Sequence, residues 1–392
     1  EFSSGVIDFT TGILMLEASE TLKLEDQTNV HLGKLNLVNR SGDINGLTQK
    51  YQLRNHSSVI LSGAAVTATN GQRMTVTLTE TQRVAAMVLS DVPGGDNTPL
   101  LADVSAALAI DMGLNANIKS FGLILTSVSD SGRPVIISAV INYETGLLTI
   151  QFNETIDATP TALVNLSRIF LVNKTGDSSI LLSSSPPATV LQSETVNVTI
   201  KLSEYQRAQA IAMSGKKGGD GQGVRLDLQH GSCFDMAGNP SVQRVDIPVL
   251  EFADEKRPTI ESAEIFYSTG LLTITGSETI DATPTSFVNS SAISLVNNTN
   301  DTKPIALFGA DVHPNDGVTI SMRLVEVHRA NAIAISGTKG GDGFSVLLDA
   351  LAKSLRDIAG NFLLRDIANI VREHDDDILP QILGASVNYS TG

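Results

Sequence analysis

Tryptophan is absent from the 392 residues, aromatic side chains make up 4% of them, and there is one cysteine. The single thiol, Cys233, excludes an internal disulfide framework and with it the small stapled scaffolds, while leaving secretion open. No run of about 18 apolar residues occurs, so the sequence contains no membrane-spanning helix. Cations are scarce as well: 27 Lys and Arg stand against 42 Asp and Glu, for a formal charge of -15 and a pI near 4.8. No cluster of Lys and Arg is dense enough to track a phosphate backbone, which excludes nucleic acid as a partner.

What the chain has instead is itself, several times over. Tyr143 to Thr161, YETGLLTIQFNETIDATPT, returns from Tyr267 to Thr285 as YSTGLLTITGSETIDATPT with 15 of 19 positions identical. A degenerate copy runs from Phe9 to Asn29, and Asn388 to Gly392 (NYSTG) begin another. Self-similarity at such a period marks an array.

Landmarks fix the frame. The turn glycines Gly12, Gly146 and Gly270 each precede the Asn of an LVN motif (Asn39, Asn173, Asn297) by 27 residues. From that Asn to the Glu of the next motif (Glu80, Glu204, Glu326) the distances are 41, 31 and 29. From the Glu to a late Asp (Asp111, Asp235, Asp357) it is always 31, and from there to a boundary Pro (Pro134, Pro258, Pro380) always 23. Length varies only between Asn and Glu, where the first copy carries an insertion around Ile44 to Ser58. Constant spacing elsewhere predicts a fixed core with one adjustable loop.

Apolar residues alternate with polar ones through Leu148, Ile150 and Phe152, and again through Val196, Val198, Ile200 and Leu202, the pattern of half-buried antiparallel strands. Thr, Ser, Val, Ile, Gly and Asn dominate between the rare charges, which favours strands and turns. One stretch breaks the period in each copy: ETQRVAAMVL from Glu80, EYQRAQAIAM from Glu204 and EVHRANAIAI from Glu326. Its alanine-rich pattern predicts a helix of two or three turns, opened by an acid near the helix dipole and bridging the two sheets of a sandwich. The fold expected is therefore all-β, a tandem array of Ig-like β-sandwich domains with one short helix each: 1–133, 134–257, 258–379, and the first strand of a further repeat at 380–392. Junctions of the form Asp-x-x-x-Pro (Asp130 to Pro134, Asp254 to Pro258, Asp376 to Pro380) leave little free chain and predict a semi-rigid rod.

The order of strand, S-E-T-I-D turn, short helix, G-G-D-G loop and D-x-A-G-N (Asp235 to Asn239, Asp357 to Asn361) resembles the bacterial-type Ig-like repeats of S-layer and adhesin stalks, whose domains typically end in D-x-A-G-N. The resemblance covers all three repeats and implies a fold, not an activity. The first copy departs from it: Asp111 to Asn115 reads DMGLN, and Lys23 replaces the Asp of S-E-T-I-D.

Ten N-x-S/T sequons occur, at Asn39, Asn55, Asn153, Asn165, Asn173, Asn197, Asn289, Asn297, Asn300 and Asn388. Asn39, Asn173 and Asn297 are one repeat position three times, and Asn165 and Asn289 correspond. Asn153 and Asn197 lie on the polar phase of their strands, pointing outward as a glycan must. The bland reading makes these Asn turn and strand-face residues inherited by duplication; the reading adopted is N-glycosylation of a secreted protein, with a coat that blocks edge-to-edge pairing.

Oxygen ligands for calcium are available in Glu154, Asp157, Glu278 and Asp281, in the G-G-D-G loops (Asp220, Asp342), in the D-x-A-G-N turns, and at the junctions in Asp254, Asp375, Asp376 and Asp377. Hard cations take six to eight such oxygens, and a junction could gather acids from neighbouring domains. Against this, no EF-hand loop is present, and D-x-A-G-N explains itself as an Asp-capped turn with a left-handed Gly. Apart from N-linked glycans and possible calcium, no cofactor is expected.

Catalysis has little support. None of His31, His56, His230, His313, His328 and His374 recurs in all repeats, there is no H-E-x-x-H, G-x-S-x-G, Walker or dinucleotide loop, and the G-G-D-G stretches precede strands rather than a helix that could hold phosphate. Paired carboxylates repeated in sandwiches without aromatic platforms for sugar do not make a glycosidase. Cys233 has Ala109 and Leu355 as counterparts and reads as a small buried hydrophobe.

The chain opens EFSSGVIDF, without Met or signal peptide, and stops inside a repeat, which reads as a processed product or an excerpt of something longer. Residues 380–392 belong to a continuing array, to a strand donated to the next molecule, or to a cut; continuation is favoured because Phe2 to Phe9 already supply the first domain's opening strand. The function expected is a structural subunit of an extracellular or cell-surface filament, not an enzyme, whose partners are further copies of itself and glycans. The alternative is a spacer or binding region of a surface adhesin or wall-associated enzyme, with Tyr51 to Ser58 as the place to seek a ligand contact.

Overall fold

The structure, a computed structural model, describes residues 1–40, 58–174, 176, 178–298, 303–382, 384–386 and 390. Its regular elements fall into three sets. The first holds β1 (Phe2–Asp8), β2 (Ile13–Leu22), β3 (Leu35–Val38), β4 (Ser58–Ile60), β5 (Ala65–Val66), β6 (Gly71–Thr77), α1 (Glu80–Val88), β7 (Leu101–Val104) and β8 (Ser120–Val128). The second holds β9 (Ile136–Asn142), β10 (Leu147–Asp157), β11 (Ile169–Val172), β12 (Ser179–Leu181), β13 (Thr189–Leu191), β14 (Glu194–Lys201), α2 (Glu204–Ala212), β15 (Arg225–Leu228) and β16 (Arg244–Phe252). The third holds β17 (Ile260–Phe266), β18 (Leu271–Ile280), β19 (Ile293–Val296), β20 (Ile305–Ala306), β21 (Asp311–Val312), β22 (Gly317–Arg323), α3 (Glu326–Ala334), β23 (Leu347–Ala350) and β24 (Asp366–His374).

Each set makes one eight-stranded sheet with the same order, in the first β4-β3-β7-β8-β1-β2-β6-β5. The last strand joins a β4-β3-β7 wing to a β1-β2-β6-β5 wing, so the sheet curls onto itself as a sandwich. The all-β Ig-like sandwich class expected from the sequence, with one short helix per repeat, is the class observed. Most neighbours are antiparallel, but the first and last strands run parallel: Gly5 to Asp8 pair with Leu125 to Val128, and Ala263 to Phe266 with Val371 to His374. Edge strands of two or three residues, such as β4, β5, β20 and β21, offer little to a stray strand.

Local sequence explains the elements. Leu148, Ile150 and Phe152 are buried while Gln151 and Asn153 are exposed. Gly12, Gly146 and Gly270 take φ of +67°, +66° and +68° in the turn from first to second strand, a conformation that costs a residue with Cβ about 1–2 kcal/mol. The helices start where expected. α1 and α2 are held by capping boxes, Thr79 with Gln82 and Ser203 with Gln206, whereas α3 has Val325 at the cap position with no side-chain bond. α1 packs on β4 and reaches β10 of the following repeat, α2 reaches β18 of the repeat after it, and α3 packs on β20 of its own.

Backbone contacts divide the chain into two compact units: 1–141, 147–201 and 225–250; and 142–146, 202–224 and 251–392. The first contains repeat 1 and most of the second sheet. Its core includes Leu14, Leu16, Leu35, Leu37, Met74 and Val76 from repeat 1, and Met236 from the D-M-A-G-N turn of repeat 2 joins it. The second unit contains repeat 3, whose core gathers Ile265, Leu272, Ile274, Leu295, Ile320 and Leu348, together with α2 and the stretches flanking it. The described residues of 380–392 form no strand.

Candidate functional site

Each helix carries the pattern E-x-x-R, and the arginine is the centre of a charge cluster. In the first unit, Arg83 directs Nε and Nη2 to Glu80 (2.7 and 2.8 Å), Nη1 to the Phe9 carbonyl and to Asp130 (2.9 and 2.6 Å), and Nη2 also to Glu154 (3.5 Å). Glu80 lies on the helix, Asp130 in the junction and Glu154 in the S-E-T-I-D segment of the next repeat, so one guanidinium ties three segments. In the second unit, Arg207 repeats the arrangement with Glu204, the Tyr143 carbonyl, Asp254 and, at 2.8 Å, Glu278. The helix acid bonds across as well: Glu80 accepts the Thr155 amide at 2.8 Å and Glu204 the Thr279 amide at 2.7 Å.

The D-x-A-G-N turn closes each cluster. Asp235 Oδ1 accepts the amides of Ala237 and Asn239, and Asn239 Nδ2 donates to the Asp130 carbonyl. Asp357 Oδ1 accepts the Asn361 amide, and Asn361 Nδ2 reaches the Asp254 carbonyl at 3.0 Å. Gly238 and Gly360 have positive φ, as the turn reading requires; in repeat 1 the position is filled by Leu114, which still adopts φ +67°. Backbone meets backbone nearby. A Cβ on Gly94 would stand 2.2 Å from the Met236 carbonyl oxygen, and one on Gly218 2.2 Å from that of Ile358.

Two buried carboxylate triads result: Asp130, Glu154 and Asp235, and Asp254, Glu278 and Asp357, each with oxygens within 4.8 Å of one another. Burial, and then the charges of Asp235 and Asp130, push Glu154 up to about 7 despite Arg83. Burial likewise pushes Glu278 up to about 7 over the opposing pull of Arg207, with Asp254 and Asp357 adding to the rise. Asp235 and Asp357 are raised by burial too. For Glu80 and Glu204 burial is outweighed by the hydrogen bonds and charge of Arg83 and Arg207, and both are lowered.

Of the junction acids singled out in the sequence, Asp254 is thus gathered with Glu278 and Asp357. Asp376 pairs with Arg329 at 2.6 Å, while Asp375 and Asp377 belong to no carboxylate group among the described residues. Asp157 and Asp281 stand apart from the triads: Asp157 accepts the Thr159 amide and Asp281 pairs with Arg356. Asp220 and Asp342 cap their own loops through the amides of Gln222 and Phe344. Cys233 is buried, its thiol pushed up to about 11 by that burial.

Among the sequons, Asn153, Asn197 and Asn289 are exposed and Asn39, Asn165 and Asn297 half-buried. Asn39 and Asn297 donate Nδ2 to Asp96 and Asp342. Asn173 is 9% exposed and accepts the Ser178 amide, which makes it the least accessible of the described set. Asn55, Asn300 and Asn388 lie outside the described residues, as does Tyr51 to Ser57 of the insertion.

No known family profile matches the chain, and no curated protein does. Among solved structures it is similar to the N-terminal part of the bacterial S-layer protein SbsC, with 10% identity and a TM-score of 0.22 over 62% of this chain and 45% of that one. It therefore spans less than half of that structure. It is also similar to the ectodomain of mouse nectin-like molecule 4 (12% identity, TM-score 0.16, 98% and 100% covered) and to a Dscam isoform structure (8%, 0.16, 95% and 76%). Scores this low say nothing of function.

Proposed function

We propose that the chain is a structural subunit of an extracellular, N-glycosylated filament or surface appendage, built from the repeats 1–133, 134–257 and 258–379. The reading is carried by the clusters of Arg83 and Arg207: the same four kinds of partner, from the same repeat positions, tie consecutive repeats twice. A chain whose repeated chemistry is invested in joining copies of itself supports assembly as its task. The exposed sequons Asn153, Asn197 and Asn289 are the positions where glycans would sit. Intact mass of native material before and after glycosidase tests the glycan part, and an unmodified mass removes it. Electron microscopy of the same material tests the filament part: isolated molecules without axial or lateral contacts overturn it.

A further inference from the structure

The second carboxylate triad has an acceptor that no donor among the described residues meets. Arg207 has five N–H groups, and all are engaged: two on Glu204, one on the Tyr143 carbonyl, one on Asp254 and one on Glu278. Nothing is left over for the second oxygen of Glu278. That atom, Oε1, is buried in a side chain 5% exposed, beside Asp254 and Asp357, and has no hydrogen-bond partner among the described residues. A buried acceptor without a donor, in a pocket already holding four carboxylates against one guanidinium, carries a large desolvation cost unless a positive charge joins it. The first junction repeats the composition, with Glu80, Asp130, Glu154 and Asp235 around Arg83.

We infer that the second junction binds one divalent cation of the hard, oxygen-seeking class, calcium foremost, through Asp254, Glu278 and Asp357. The donors in each triad are all carboxylate oxygens, with no imidazole or thiolate among them, which disfavours zinc and copper. Three carboxylates supply up to six oxygens when bidentate, matching the lower end of calcium's six to eight; magnesium's strict octahedron fits such a fan poorly. A divalent ion brings the cluster of four acids and one Arg from three negative charges to one, where a proton brings it only to two. The cation would lock Asp254, from the junction, to Glu278 and Asp357 of the next repeat, beside the guanidinium that already links them. It is a property of the single chain, so its failure leaves the array reading standing.

The test is isothermal titration of calcium into the EDTA-treated whole chain at pH 7.5. The expected result is a saturable site with Kd within the range of extracellular calcium modules, about 10⁻⁴–10⁻³ M, accompanied by a rise in the thermal midpoint. Glu278→Gln keeps the shape of the side chain and should remove that site, with circular dichroism confirming the fold. Asp357→Asn offers an independent route to losing it. No saturable heat and no midpoint shift up to about 10 mM calcium, an order above that range, overturns the proposal. So does unchanged stoichiometry in Glu278→Gln, which would place the ion elsewhere.

Discussion

Arg207 and Arg329 occupy the same repeat position and differ in what surrounds them. Arg207 holds Asp254 and Glu278, both buried, whereas the partners of Arg329, Glu326 and Asp376, remain in water. Removing one member of a buried pair leaves an uncompensated charge, so Arg207→Ala is expected to lower stability by about 3–5 kcal/mol. Arg329→Ala removes exposed pairs and is expected to lose only a small fraction of that. Urea unfolding followed by circular dichroism compares them, and equal losses would mean that the buried cluster does not hold the junction. At this scale the sequence was half legible. The acids stood out because they recur in turns, and the gathering of junction acids was expected; the arginine was passed over because its partners lie 47 and 71 residues away, distances that no local pattern encodes. Glu80 was read as a dipole acid when its stronger role is to accept Arg83 and the amide of Thr155.

Elements were the most legible scale. Period two marked the long strands and its interruption marked the helices, because in both cases one face must be buried and the other not. What the pattern could not convey was where the helix would pack. Its buried side points partly at the next repeat, and an alanine-rich stripe looks the same whichever core receives it. The caps offer a direct comparison. Thr79 and Ser203 bond the amides of Gln82 and Gln206, while Val325 leaves the start of α3 without a side-chain acceptor. The φ and ψ at Val325 (-68°, 153°) are already those of a capping residue. Val325→Ser should therefore stabilise repeat 3 by about 0.5–1 kcal/mol, within the range measured for N-caps. A thermal midpoint at or below that of the parent chain would argue that the apolar contacts of Val325 matter more.

For the molecule as a whole, the question is how copies are joined, and the first glycines of the G-G-D loops answer it. Gly94, Gly218 and Gly340 all take left-handed φ, of +90°, +89° and +97°. Only the first two are overlain by backbone from the following repeat; a Cβ on Gly340 would meet nothing nearer than Ile333 Cγ2 at 3.6 Å. Alanine at any of them incurs the same local strain, so the difference between sites isolates the junction. Gly218→Ala is expected to loosen it, seen as faster proteolysis at Asp254 to Pro258 than in the parent or in Gly340→Ala. Equal cleavage of the two variants would show that close backbone approach contributes nothing. No local pattern hints at this contact, since a turn glycine and a glycine spared for a neighbour are spelled alike.

The parallel pairing of first and last strands has a mechanical meaning. In repeat 1 the chain enters at the N-terminal end of β1 and leaves at the C-terminal end of β8, and parallel neighbours place those ends at opposite extremes of their shared ladder, Gly5 to Asp8 against Leu125 to Val128. Tension applied along the chain therefore slides the two strands past each other and strains all their shared hydrogen bonds at once, where an antiparallel pair pulled from adjacent ends would open one bond at a time. β17 and β24 repeat the geometry. Each such repeat is wired to bear a pull in shear, the direction in which a β-ladder yields last.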